Sequence, residues 1–348
     1  MQKKGDRYGA HRVLEPLGVL PQPAKRLDND MSEIYDNEIL CDVMTLNVDS
    51  ASFKTILDHA GGKDEEIKKI MFGIVAERGK HQNPWTGSGG MFIGRVARIG
   101  EALRGKIDLQ VGDRIASLVS LSLTPLRIDE ILAIRQKNDQ VDIRGQAILF
   151  ESAVWAKMPT DLDEKLALAV LDVAGAPAQV ARLVKPGDTA LIIGANGKSG
   201  LLCCYEARQR AGSTGKVIAS VRRENAVAIV KDSGFADEVI VAAADDALGM
   251  LAAVERANRG RLVDVVINCV SRENCEMGSI LPCRDGGVVY FFSMATSFTK
   301  AALGAEGIGK DITMIIGNGY AHGHAELALD LLRESEYLRR VYTERYVR

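Results

Sequence analysis

The chain has no C-x-x-C pair, no apolar run near the ~18 residues of a membrane span, and no marked excess of either charge. Its six cysteines (Cys41, Cys203, Cys204, Cys269, Cys275 and Cys283) are scattered, several of them in apolar segments. Buried thiols in a reducing cytoplasm are therefore expected, not a disulfide framework. A formal net charge of −2 offers no basic field for nucleic acid. The opening MQKKGDRYGAHR has charges with no apolar segment behind them, so no leader is expected. Repeats and low-complexity tracts are lacking as well. What remains is 348 residues, 47% hydrophobic and 26% charged, an ordinary globular composition. That length points to two domains, since single cores stop growing at roughly 250–300 residues.

One stretch organises the rest: TALIIGANGKSG, from Thr189 to Gly200. Ala190 to Ile193 read as a buried strand that runs into Gly194, Gly197 and Gly200, and the following LLCCYEARQRAG has helical spacing. Strand, glycine turn and helix in that order are the context a dinucleotide-phosphate motif requires. Gly194 allows a tight turn, Gly197 a close approach of backbone to pyrophosphate, and Gly200 close packing of helix on strand. The backbone of Asn196, Lys198 and Ser199 belongs to the same expected cofactor site. Around this turn, strands at 189–193, KVIASV, EVIVAA, VDVVINCV, GGVVYFFSM and DITMIIGNG alternate with helical segments. Six such strands predict a doubly wound parallel sheet over about 160–320. The segment LDEKLALAVLDVAGAPAQVARLV before it is helical, with a break expected at Pro177.

The first part reads differently. A proline-bearing arm (YGAHRVLEPLGVLPQPAKRLDN) precedes a period-2 strand in which Ile39, Cys41 and Val43 alternate with Leu40, Asp42 and Met44. Helices follow over 53–78, broken at Gly61-Gly62, with Ile67, Ile70, Met71, Ile74 and Val75 on one face. After the loop KHQNPWTGSGGM the chain is strand-rich and mostly non-parallel. The tail HAELALDLLRESEYLRRVYTERYVR predicts an amphipathic helix and a last short strand.

A β-rich domain followed by a glycine-fingerprint Rossmann domain resembles the medium-chain dehydrogenase/reductase superfamily. GRVARIGE and VGDRIASL are similar to its G-x-V-x-x-x-G and V-G-D-R-V segments. YGAHRVLEPLGVLPQPA, EIYDNEILCDVMTLNVDSASF and ERGKHQNPWTGSGGM resemble the L-erythro-3,5-diaminohexanoate dehydrogenase family more closely. The resemblance implies an α/β fold with a GroES-like β-rich catalytic domain over 1–159, completed by 321–348, and a Rossmann domain over 160–320. It also implies a cytoplasmic homodimer, joined through the sixth strand of the Rossmann sheet. The activity implied is NAD(P)-dependent oxidative deamination of (3S,5S)-3,5-diaminohexanoate to 5-amino-3-oxohexanoate and ammonia, in lysine fermentation. The alternative is a zinc-free NADPH-dependent quinone or enone reductase. Neither nucleic acid nor membrane is an expected partner; a small zwitterionic, amino-acid-like substrate is.

Against that family pattern, the catalytic-zinc positions hold Gly90 and Met91, the usual first cysteine ligand aligns with Asp49, and 80–120 has no cysteine. No metal is expected. An amine must lose a proton before it can release hydride, so the site needs a base, then a group to activate water. Asp49, at the strand end where the family places its reacting centre, is the first candidate. Glu77 and His81, spaced i, i+4, are the second, sharing a face if the helix continues past Gly79. Tyr8, Ser50, Ser52, Arg78, Lys80 and Asn83 are candidate substrate contacts. His11 and Arg12 read as packing in the arm, and His322 and His324 as an exposed loop pair. Beyond KVIASV the position usually acidic in NAD enzymes holds Val221. Ser220, Arg222 and Arg223 suit a 2′-phosphate, leaving NADP slightly favoured over NAD. Cys269, Val270, Phe292 and Ser293 end strands that should border the nicotinamide.

Overall fold

A computed structural model describes residues 3–317 and 319–347. The chain divides into two compact units, 1–161 and 162–348.

In the first unit a two-stranded ribbon, β1 (Val13–Glu15) and β2 (Arg26–Leu27), belongs to the N-terminal arm. A six-stranded antiparallel sheet follows: β3 (Glu38–Asn47), β4 (Met91–Ile99), β5 (Arg114–Ser117), β6 (Leu126–Arg135), β7 (Gln140–Phe150) and β8 (Trp155–Lys157), in the order β6-β7-β3-β4-β5-β8. Between β3 and β4 lie α1 (Ser50–His59) and α2 (Asp64–Arg78). Their apolar stripes (Phe53, Ile56, Ile67, Met71, Ile74 and Val75) share one core with Ile39, Cys41 and Val43 of β3. Leu40, on the other face of β3, is also buried, because Met31 of the arm, Ile148 and Phe150 enclose it. The strict alternation expected of β3 therefore breaks at Leu40, where both faces are covered.

The arm is anchored by Arg12. Its guanidinium donates to both oxygens of Glu38 at 2.9 and 2.8 Å, to Asp28 at 3.0 Å, and to the carbonyls of Asp30 and Glu33. His11 meets the same Glu38 carboxylate at 2.7 Å. Burial pushes the Glu38 carboxyl up, but hydrogen bonds from His11, Arg12 and the Tyr35 N–H outweigh it and hold the carboxyl at about 2.

The second unit opens with α3 (Glu164–Leu171) and α4 (Gly175–Leu183). The break lies at 172–174, and Pro177 sits inside the first turn of α4, where a missing N–H costs no helical bond. Then β9 (Thr189–Ile193), α5 (Lys198–Ala211), β10 (Lys216–Val221), α6 (Val227–Lys231), β11 (Glu238–Val241), α7 (Ala247–Ala257), β12 (Val263–Asn268), α8 (Glu276–Ile280), β13 (Cys283–Phe291), α9 (Phe298–Gly307) and β14 (Thr313–Ile316) alternate. All neighbouring strands are parallel, in the order β11-β10-β9-β12-β13-β14. This is the doubly wound order, with its reversal beside β9.

The tail differs from expectation in two ways. Residues 324–342 form α10 (His324–Glu334) and α11 (Glu336–Tyr342), and 343–347 continue as a π-helical turn, with no final strand. Ser335 caps α11 through the Leu338 N–H, and Leu338, Val341 and Tyr342 are buried at helical spacing. These helices pack on α3 and α4, so 321–347 belong to the second unit and do not complete the first. His322 is exposed and bonds Tyr320, but His324 opens α10 and is buried.

Candidate active site and cofactor turn

The amine-side candidates gather where β3 passes into α1. Asp49 is half-buried in the N-cap position of α1, and its side chain makes no capping bond. Ser50 Oγ donates to Asp139 at 2.5 Å. Ser52 is buried, and its hydroxyl bonds Thr86 at 2.6 Å and Ser88 at 2.5 Å. Asn83, also buried, donates to the Ser52 carbonyl and receives the N–H groups of Trp85 and Thr86. The loop after α2 is thus tied to the start of α1 by a ladder of small hydroxyls and one amide. Thr86 and Ser88 are not among the residues the sequence singles out. The available signal is T-x-S within a glycine-rich loop, which sets two hydroxyls on one side.

His81 lies in this loop, fully buried, and neither ring nitrogen has a hydrogen-bond partner. Burial lowers its pKa to about 4; backbone groups of Gly89 and of His81 itself oppose this only partly. A buried imidazole with two unmatched nitrogens is costly to keep in a purely structural place. Neutral, the ring has one nitrogen that can donate and one that can accept.

Glu77 does not share its face. Helix α2 ends at Arg78, because Gly79 turns left-handed (φ 65°) and its N–H closes on Val75. Glu77 is left exposed on the helix, while His81 turns into the core. Lys80 is fully buried, and its ammonium donates to the carbonyls of Pro21 at 2.7 Å and Gln22 at 3.1 Å. Burial and then Arg78 lower its pKa to about 8. Its donors are engaged on the arm and not offered to substrate. Arg78 is half-buried. Tyr8 is exposed and lines a separate, apolar recess of about 220 Å³ with Leu20, Val119 and Phe150.

His81 carries a stability prediction. Between its ordinary value of 6.5 and about 4, the unfolded chain binds a proton that the folded chain refuses. Stability therefore falls as pH falls through this window, by about 3 kcal/mol. Urea unfolding at pH 7 and pH 4.5 should show most of that loss, about 2 kcal/mol, in the wild type and a much smaller one in His81→Gln. Equal losses would mean the ring is protonated in the folded state.

In the second unit the glycine turn has the shape a dinucleotide requires. Gly194 has φ 80°, and a Cβ there would stand 2.7 Å from Val270 Cγ2. A Cβ on Gly200 would stand 2.1 Å from the Gly194 carbonyl oxygen, whereas one on Gly197 would lie at 3.2 Å. The N–H groups of Gly194 and Ala195 both donate to the Ser220 carbonyl at 3.0 Å, so the turn is fixed to the end of β10. At the start of α5 the N–H groups of Lys198, Ser199 and Gly200 precede the first intrahelical donor, Leu201. The fit to a nucleotide pyrophosphate rests on these donors and on the close approach the glycines permit.

The remaining cofactor candidates converge on the same strand ends. The Cys269 N–H donates to Ile193, Val270 packs on Gly194, and the Phe292 N–H donates to Asn268. Ser293 is buried and accepts from the Ala295 N–H. Ser220 is buried, with its hydroxyl on the Ala242 carbonyl. Arg222 and Arg223 are exposed just past β10 and make no ion pair among the described residues. Asn196 and Lys198 have carbonyls held by the tail, and the Lys198 ammonium pairs with Asp172 at 2.8 Å. No group of three or more His, Cys, Asp or Glu side chains among the described residues is placed to hold a metal ion.

A family model described as the L-erythro-3,5-diaminohexanoate dehydrogenase N-terminal domain matches residues 11–159. The L-erythro-3,5-diaminohexanoate dehydrogenase of Acetoanaerobium sticklandii is 60% identical over 344 residues, 99% of this chain and 100% of that protein. Its counterpart from Fusobacterium nucleatum subsp. nucleatum is 58% identical over 345 residues, again 99% and 100%. A mycobacterial protein solved in complex with NADPH superposes with a TM-score of 0.55 at 17% identity, covering 93% of this chain and 86% of that one, a likeness of fold alone. With near-complete coverage at this identity, the chain belongs to the L-erythro-3,5-diaminohexanoate dehydrogenase family.

Proposed function

We propose that this protein is an NAD(P)-dependent amine dehydrogenase that converts (3S,5S)-3,5-diaminohexanoate to 5-amino-3-oxohexanoate and ammonia. The observation that carries the reading is 60% identity along 99% of the chain to a protein of that name. The glycine turn supports it: a left-handed Gly194 and close packing of helix on strand at Gly200 are features a nucleotide motif uses.

The reaction balances as amine cation plus NAD(P)⁺ plus water, giving ketone, NAD(P)H, ammonium and one proton. The bound nicotinamide supplies the hydride acceptor. The chain's residues must hold the substrate, free the nitrogen lone pair and supply water. Asp49 takes the ammonium proton or relays it to solvent, with Ser50 beside it. The neutral His81 ring keeps an acceptor nitrogen for an ammonium. Ser52, Thr86 and Ser88 form a hydroxyl path that suits the later activation of water at the substrate iminium. Asn83 holds this path in place. The substrate's carboxylate needs N–H or guanidinium donors, and Arg78 is the half-buried candidate.

Arg222 and Arg223, exposed just beyond β10, support NADP over NAD, as does Val221 where an acidic residue would serve NAD. A zinc-free reaction is consistent with Gly90 and Met91 at the positions where the medium-chain superfamily pattern has its zinc ligands. A cytoplasmic location is supported by six free thiols, five of them buried, and a homodimer completes the proposal. The role in lysine degradation follows from the substrate proposed.

The test is purified protein with the diamine, NAD and NADP in parallel, reading reduced cofactor and ammonia. Equal amounts of both products support the reading, and the two rates decide the cofactor. No reduction with either, but NADPH consumption with a quinone or enone, would replace it with the reductase.

A further inference from the structure

The end of the described chain is fastened to the cofactor turn. Tyr342 is buried, and its hydroxyl donates to the Lys198 carbonyl. Arg345 donates to the Asn196 carbonyl at 2.8 Å. The Lys198 ammonium lies 5.4 Å from the centroid of the Tyr346 ring. Three separate contacts therefore join the end of α11 and the π-helical turn after it to two residues of the glycine motif, Asn196 and Lys198. Burial holds the Tyr342 phenol well above its ordinary pKa, so it remains a donor throughout the working pH range.

We infer that the last residue of α11, Tyr342, and Arg345 of the π-helical turn position the first peptide units of α5 for the pyrophosphate of the cofactor. A peptide unit is rigid, so fixing a carbonyl fixes the N–H on its other side. The Lys198 carbonyl shares its unit with the Ser199 N–H, one of the donors at the start of α5 that no helical bond satisfies. A hydrogen bond to that carbonyl also polarises the unit and strengthens its N–H as a donor. The Asn196 carbonyl shares its unit with the Gly197 N–H, which closes the turn on Gly194 at 3.0 Å. Arg345 thus supports the turn itself, and Tyr342 the phosphate donor beyond it. Both are positioning residues, and the inference rests on the cofactor reading of the glycine turn.

The test titrates NADPH, NADH and ADP-ribose into full-length wild type, Tyr342→Phe and Arg345→Met, alongside thermal melts. Each lost hydrogen bond should raise the Kd for NADPH, NADH and ADP-ribose by about 3- to 10-fold. The inhibition constant of adenosine, which has no phosphate, should stay within twofold, and so should the KM for the diamine. Arg345→Lys should recover part of the loss. A purely structural contact predicts a lowered Tm with unchanged Kd values, or equal weakening of adenosine and ADP-ribose; either result overturns the inference. If Tyr342→Phe fails to fold, Arg345→Met, at an exposed position, carries the same expectation. Wild type that binds neither cofactor nor ADP-ribose would overturn the cofactor reading and this inference with it. Wild type that binds, with variants unchanged, overturns this inference alone.

Discussion

Gly194→Val should weaken cofactor binding by on the order of 10- to 100-fold. A β-branched residue at φ 80° is strained by about 1–3 kcal/mol, and the added atoms meet Val270 Cγ2 from 2.7 Å. The three glycines of the turn should not behave alike. Gly200→Ala drives a Cβ to 2.1 Å from the Gly194 carbonyl oxygen, a backbone atom with nowhere to move, so stability and binding should fall together. Gly197→Ala places its Cβ at 3.2 Å from the same oxygen, which a small shift relieves. Its Tm should stay near wild type while the cofactor Kd rises, because only a ligand lying on Gly197 would meet the new methyl. Isothermal titration with both nicotinamide cofactors, paired with thermal melts, separates these outcomes. If Gly197→Ala binds cofactor like wild type, the pyrophosphate does not lie on that residue.

Arg12→Leu should cost about 3–5 kcal/mol of stability, the penalty of leaving a buried carboxylate without its main partner. Glu38 is fully buried and would keep only His11 and the Tyr35 N–H. In the wild type its carboxyl, held at about 2, contributes stability that is complete above its ordinary 4.5 and is lost as pH falls through about 2. The variant should lose much of that dependence and unfold at a higher pH during acid titration. Arg12→Leu combined with Glu38→Leu should recover most of the loss, since two apolar residues leave no unmatched charge. Urea unfolding of both variants measures this. A double variant no better than the single would place the energy in the contacts of Arg12 with Asp28 and the arm carbonyls.

The second unit was the more legible in sequence. Short apolar strands such as Ala190–Ile193 are buried on both faces, and their alternation with helices leaves few arrangements of a parallel sheet. The first unit was read as strand-rich, but its antiparallel order depends on pairings such as β3 with β7, far apart in sequence. The end of the tail reads as strand because Val341, Tyr342 and Val347 favour strand locally, whereas burial of Leu338, Val341 and Tyr342, with α11 packed on α3 and α10, decides for helix. In the site, the family resemblance points to Asp49, Ser52 and Asn83, and hydrogen bonds from Asn83 to the Ser52 carbonyl and between Ser52 and Ser88 join the loop to α1. Gly79 is the local signal that ends α2 and separates His81 from Glu77. Spacing does not show that the Lys80 ammonium engages arm carbonyls 58 and 59 residues away, an outcome that depends on tertiary burial.

The most direct measurement uses 3,5-diaminohexanoate deuterated at carbon 3, with the preferred cofactor and an ammonia assay. The account predicts one deuterium in the reduced nicotinamide ring for each ammonia released, with a slower turnover than the unlabelled substrate if hydride transfer limits the rate. Deuterium retained in the product, or cofactor reduced without ammonia, would contradict oxidative deamination at that carbon.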